Sequence, residues 1–222
     1  MIQSEKLKEH ARRLRLYNIA NRMDSILHHA QEEKPTYSEF LSLVLGTEVE
    51  MKERKDYERR LVAVRLPRKH DLDEYDYNFY EGIDRRQMKE LRELVWFRET
   101  YNLILIGPSG TGKTFLAAGL VFDAVKADYK AYLMTMEDIV NCLRLKDIST
   151  SAMMTYNKIL RAQLLAIDDI MLFPVKRKEA TAFFNLINTL HEKTSIIITT
   201  NKAPTELSLI HISEPTRPEP IS

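Results

Sequence analysis

The sequence predicts an α/β fold in which a parallel sheet with flanking helices follows a small all-helical amino-terminal domain. Three observations carry this reading. Apolar residues recur at three- and four-residue steps through the first part of the chain, and beyond Thr100 they gather into short runs separated by helical segments. A glycine-rich turn stands between the first of those runs and the helix after it. Strands alternating with helices call for crossover connections, and so for a parallel sheet with helices on its faces.

The elements follow in order. Leu7, Ala11, Leu14, Ile19, Met23, Ile26 and Leu27 mark one amphipathic helix from about Ser4 to His29 with a basic outer face. A second helix opens at Pro35-Thr36, where Glu39 completes a capping box with Thr36, and Phe40, Leu41, Val44 and Leu45 form its buried side. A charged stretch then runs to Arg65, and Pro67 ends it. Residues 69–84 are rich in Asp, Tyr and His without a helical period and read as a linker between a helical domain, 1–68, and the main core, 85–206. That core opens with a helix from Arg85 to Phe97. Its strands are expected at Asn102–Ile106, Ala131–Met136, Leu164–Ile170 and Ser195–Thr200.

Gly107-Pro108-Ser109-Gly110-Thr111-Gly112-Lys113-Thr114 matches G-x-x-x-x-G-K-[ST] at every specified position. Small residues let backbone N–H groups turn inward around phosphate oxygens, and the following helix adds the positive end of its dipole. Lys113 would reach the outer phosphates and the Thr114 hydroxyl would ligate magnesium. The expected ligand is a nucleoside triphosphate, ATP with Mg2+.

Such a site needs a carboxylate at a strand end. Leu164-Leu165-Ala166-Ile167-Asp168-Asp169 supplies four apolar residues followed by two acids, a Walker B pattern. Asp168 would hold the metal and Asp169 would polarise the attacking water. The bland alternative is an Asp-Asp turn that caps the next helix. Asn201, closing the last strand, would bond the attacking water or the γ-phosphate, or simply form a turn. Lys113, Asp169 and Asn201 are thus the catalytic candidates, and Thr114 and Asp168 the metal ligands. The reading also places an additional strand, Ala131–Met136, between phosphate loop and Walker B, an insertion that separates hydrolysing ATPases from the simpler kinase-like order.

Composition narrows the class. Among 222 residues, 44% are hydrophobic and 29% charged, as in a folded globular protein. No apolar run approaches the ~18 residues of a membrane span, and the start of the chain lacks the pattern of a secretory signal, so a cytoplasmic location is expected. The single cysteine, Cys142, permits no internal disulfide and no thiolate zinc cluster. The formal charge of +1 hides basic clusters. Arg12, Arg13, Arg15 and Arg22 on the first helix, with Arg59 and Arg60 in the run from Lys52 to Lys69, would meet DNA phosphates without reading bases. Interspersed acids that pair at four-residue spacing are the competing explanation.

These residues together resemble the IstB-like ATPases, helper proteins of insertion-sequence transposition similar to the DnaC helicase loaders of the AAA+ class. The resemblance spans about Leu7 to Pro204. It includes Leu14-Arg-Leu-Tyr, Ser38-Glu-Phe-Leu, the run from Glu53 to Arg65, and the joint from Asp76 to Gln87. In the core it takes in the phosphate loop, the Walker B strand and Ile198-Thr-Thr-Asn201-Lys. It implies a P-loop NTPase of AAA+ type that assembles on double-stranded DNA as an ATP-bound homo-oligomer, bends the DNA, and recruits or stimulates a transposase. Asn201 then matches the sensor-1 residue and Asp169 the hydrolytic acid, where most of the class carries Glu. A helicase loader, or a nucleotide-binding fragment deficient in hydrolysis, are the alternatives. After Glu206 the chain departs from the family's helical lid and its arginine finger. Residues 207–222 read like a translated sequencing adapter and are expected to be a non-native tail, so Arg217 is not assigned as the finger and hydrolysis is expected to be weak.

Overall fold

A computed structural model describes residues 2–68, 70–77, 83–170 and 176–201. The tail expected at 207–222 lies outside them. The chain divides into two compact units, the first ending at Arg60 and the second beginning at Leu61.

Two helices stand where the apolar spacing predicts one. Helix α1 (Ile2–Arg13) and helix α2 (Tyr17–Glu33) are separated by a corner in which Arg15 takes a left-handed φ of 59°. The spacing runs on through the break because both helices bury the same stripe. Ala11 packs with Ile19, Ala20 and Met23 once the chain has folded back, and Ser4 and Lys8 bond Asp24. Leu16, at the N-cap of α2, supplies no side-chain cap. The deficit is met from afar: Glu48, only 6% exposed, accepts the backbone N–H groups of Asn18 and Ile19, each at 3.1 Å. Helix α3 (Tyr37–Val64) carries Glu48. It opens on the expected capping box, with Thr36 N–H donating to Glu39 Oε2 at 2.8 Å and Glu39 N–H to Thr36 Oγ1 at 3.3 Å.

In the second unit part of the segment after Pro67 packs down. A 3-10 turn at Leu72–Glu74 buries Leu72, and Tyr75 is buried beside it. The helix expected from Arg85 to Phe97 is two pieces, α4 (Arg85–Arg92) and α5 (Val95–Arg98), because Leu94 between them turns left-handed at φ 55°. Arg92 joins three parts of the unit, bonding Asp73 at 2.6 Å and Asp123 at 2.7 Å.

Strands β1 (Leu103–Ile106), β2 (Ala131–Thr135), β3 (Leu164–Asp168) and β4 (Ser195–Thr200) form one parallel sheet in the order β1-β4-β3-β2. Along the chain Ala131–Thr135 lies between the phosphate loop and the acid strand, as expected, whereas in space it is β4 that stands between β1 and β3, and Ala131–Thr135 sits outside β3. Helix α6 (Lys113–Lys126) packs on β2, β3 and β4, with Ala117, Ala118, Leu120, Val121 and Ala124 fully buried. Helices α7 (Met136–Leu145), α8 (Thr150–Leu160) and α9 (Arg177–Leu190) share an apolar cluster with Leu165, Ile167 and Ile196. Side chains alternate along a strand, so Ala166 and Asp168 of β3 and Ile197 and Thr199 of β4 point to the other face, that of α6. No described helix is long and apolar enough to cross a membrane.

Candidate functional site

The loop from Gly107 to Gly112 leaves β1 and enters α6. Gly110 (φ 86°) and Gly112 (φ 82°) occupy the left-handed region where a Cβ is strained, and Gly112 precedes the first helical residue, Lys113. The first N–H groups of α6 have no intrahelical acceptor and so face outward for a ligand. Thr111 Oγ1 donates to Pro108 O at 2.9 Å and fastens the loop across itself. The Lys113 ammonium folds back over it, donating to Gly107 O at 2.8 Å and Pro108 O at 2.7 Å. Ser109, in the middle of the loop, accepts from Asn201 Nδ2 at 3.1 Å. The phosphate loop and the end of β4 are thus joined through the residue that the resemblance assigns to sensor 1.

Thr114 and Asp168 meet. Thr114 Oγ1 donates to Asp168 Oδ1 at 3.0 Å, and Asp168 is only 7% exposed at the end of β3. The pair fits a magnesium site completed by phosphate oxygens and water, since a hydroxyl and a carboxylate oxygen are both hard donors and they converge beside the loop. Among the described residues no cluster of three or more His, Cys, Asp or Glu stands ready to hold a metal by itself.

Asp169 directly follows β3 with a left-handed φ of 55°. Although it lies at the exposed end of the sheet, partial desolvation raises its carboxyl above the ordinary range. The neighbouring Asp168 charge adds to that shift and the Lys113 ammonium opposes it. A carboxylate held this way accepts a proton more readily than a free one, as a general base requires.

One participant escaped the sequence reading. Thr199, fully buried on β4, bonds Asp168 Oδ1 through its hydroxyl and accepts Asp169 N–H at 2.9 Å. Its signal was the period of two, which puts Thr199 and Asn201 on one face of the strand.

The basic residues named for DNA belong to a different region. Arg12, Arg13, Arg15, Arg22 and Arg59 are exposed and Arg60 is half-buried. Arg59 pairs with Asp56 on its own helix, and Arg54 with Glu58 at 3.1 Å, as the competing explanation foresaw for that run. Arg12, Arg13, Arg15 and Arg22 form no ion pair with another described residue.

Comparison with known proteins gives the chain's relatives and its family. An "Insertion sequence IS21-like putative ATP-binding protein" of Bacteroides fragilis is 56% identical over 206 residues, covering 92% of this chain and 78% of its own. AMPPCP-bound DnaA from Aquifex aeolicus superposes with a TM-score of 0.54 at 24% identity, over 64% of this chain and 45% of that one. The DnaC helicase loader does so with a TM-score of 0.50 at 19% identity, over 63% and 83%. At such identities these two show the fold alone, that of AAA+ P-loop NTPases. The IstB-like ATP binding protein family matches residues 9–211, across both units, and it is to this family that the chain belongs.

Proposed function

We propose that this protein binds ATP with magnesium at Gly107–Thr114, hydrolyses it weakly, and serves as a DNA-binding helper of insertion-sequence transposition that assembles on double-stranded DNA as a homo-oligomer and engages a transposase. The observation that carries the nucleotide part is the 3.0 Å bond from Thr114 to Asp168, which brings the phosphate loop and the Walker B acid to one point. Bound magnesium would neutralise the negative charge of the phosphates. Thr114 and Asp168 hold it. Lys113 exchanges the two loop carbonyls for phosphate oxygens, Asp169 takes the proton of the attacking water, and Asn201 orients that water. The DNA part rests on the exposed Arg12, Arg13, Arg15 and Arg22, which form no ion pair with another described residue, and the transposition part on the name of the Bacteroides relative, an insertion-sequence ATP-binding protein. That name also favours the helper over a helicase loader, which shares the core.

Titration with a fluorescent ATP analogue in magnesium tests the nucleotide part. Lys113→Ala should weaken binding about tenfold or more, the worth of charge-assisted bonds. Equal affinity in the two proteins would overturn the assignment.

A further inference from the structure

Resting on that nucleotide reading, we infer that Thr199 is a positioning residue that sets the metal acid and the hydrolytic acid in register with each other. Its single hydroxyl has its roles fixed by its neighbours. The Asp168 carboxylate only accepts and the Asp169 N–H only donates, so the hydroxyl proton lies toward Asp168 Oδ1 and an oxygen lone pair toward Asp169 N. The backbone of Thr199 adds a third bond, its carbonyl accepting Ile170 N–H at 3.1 Å. Residues 168, 169 and 170 are therefore all held by one residue of the neighbouring strand.

The consequences fall on both acids. Oδ1 of Asp168 receives two hydroxyls, from Thr114 and Thr199, which fixes the carboxylate plane and leaves Oδ2 without a donor among the described residues. Asp169 is held in a left-handed conformation that a non-glycine residue adopts only at a cost, and the bond from its N–H to Thr199 is what repays it. Two residues on, Asn201 reaches Ser109. The end of β4 thus spaces the phosphate loop, the metal acid and the hydrolytic acid from one rigid edge. Valine at this position would keep the shape and remove all hydroxyl bonding from a site with no water-exposed substitute.

Purified full chain and its Thr199→Val, Thr199→Ala and Thr199→Ser variants are compared by titrating a fluorescent ATP analogue in EDTA and across graded magnesium, with thermal melting of each nucleotide-free protein. Thr199→Val should bind within about twofold of the wild type in EDTA, while the magnesium concentration for half-maximal tightening rises about tenfold, the usual effect of losing a partner that orients a metal ligand. Thr199→Ser should keep the wild-type magnesium response. Should Thr199→Val fail to fold, Thr199→Ser against Thr199→Ala decides, since these two differ by the hydroxyl alone. An unchanged magnesium response in Thr199→Val, or an equal weakening in Ser and Ala, overturns the inference while nucleotide binding stands. A wild type that binds no analogue, or binds it without regard to magnesium, overturns the nucleotide reading and this inference with it.

Discussion

Leu72 lies directly on Gly119: a Cβ at position 119 would stand 2.3 Å from Leu72 Cγ and 2.9 Å from the carbonyl oxygen of His70. This close approach locks the segment before the core onto the helix that follows the phosphate loop. Gly119→Ala should therefore destabilise the second unit by about 1–3 kcal/mol, the range of overpacking, despite the better helix propensity of alanine. Leu72→Ala alone should cost about 2–4 kcal/mol. The double variant should fall short of the sum, because each change relieves the other. Urea unfolding followed by tryptophan fluorescence gives all three values.

The cap that Glu48 lends to α2 gives a second expectation. Glu48→Ala removes the acceptor of two backbone N–H groups, one buried and one half-buried, and the amino-terminal unit should lose about 1–2 kcal/mol. Hydrogen exchange should speed up first at Asn18 and Ile19. Unchanged protection there would contradict a capping role.

A pH effect is expected at the start of α3. The backbone N–H and then the hydroxyl of Thr36 lower the Glu39 carboxyl below its ordinary value. A depressed carboxylate contributes stability above its unfolded value and loses it as pH falls through the folded one, so the first turn of α3 should loosen only in acid. Carboxyl-detected NMR titration should place Glu39 below the ordinary value of a glutamate. Thr36→Ala removes the hydroxyl and keeps the backbone N–H, so Glu39 should rise only part of the way toward its ordinary value.

DNA binding is tested by salt. If Arg12, Arg13, Arg15 and Arg22 meet phosphates, changing all four to Gln should lower affinity for any duplex alike. The slope of log affinity against log salt should shrink by about 0.9 for each phosphate that the protein no longer neutralises. Fluorescence anisotropy over a salt series measures it, and an unaltered slope would remove these residues from the interface.

Local chemistry was legible in the sequence and long-range neighbours were not. Gly107–Thr114 and Asp168-Asp169 stood out because the phosphate and metal binding proposed for them demands particular residue types at fixed spacing, and the four described strands stood out as apolar runs. The break after Arg13 was hidden: Ala11, Ile19 and Met23 keep helical spacing across a corner that exists only because the second helix folds back on the first. Leu72 and Tyr75 looked like linker because three or four residues anchored on a neighbouring helix display no period. Thr199 was missed for a related reason. Its role depends on β4 lying beside β3, an adjacency that order along the chain does not reveal.

That adjacency also bears on how the protein comes into being. Among the described strands β1 pairs only with β4, and β3 meets β1 only across it. Until the residues of β4 have left the ribosome, the two halves of the nucleotide site cannot be drawn together, however well each has formed. Closing so long a loop is slow as well as late. A nascent chain should therefore acquire its affinity for ATP in one step once β4 has emerged, with the nucleotide rewarding only those chains whose sheet has closed.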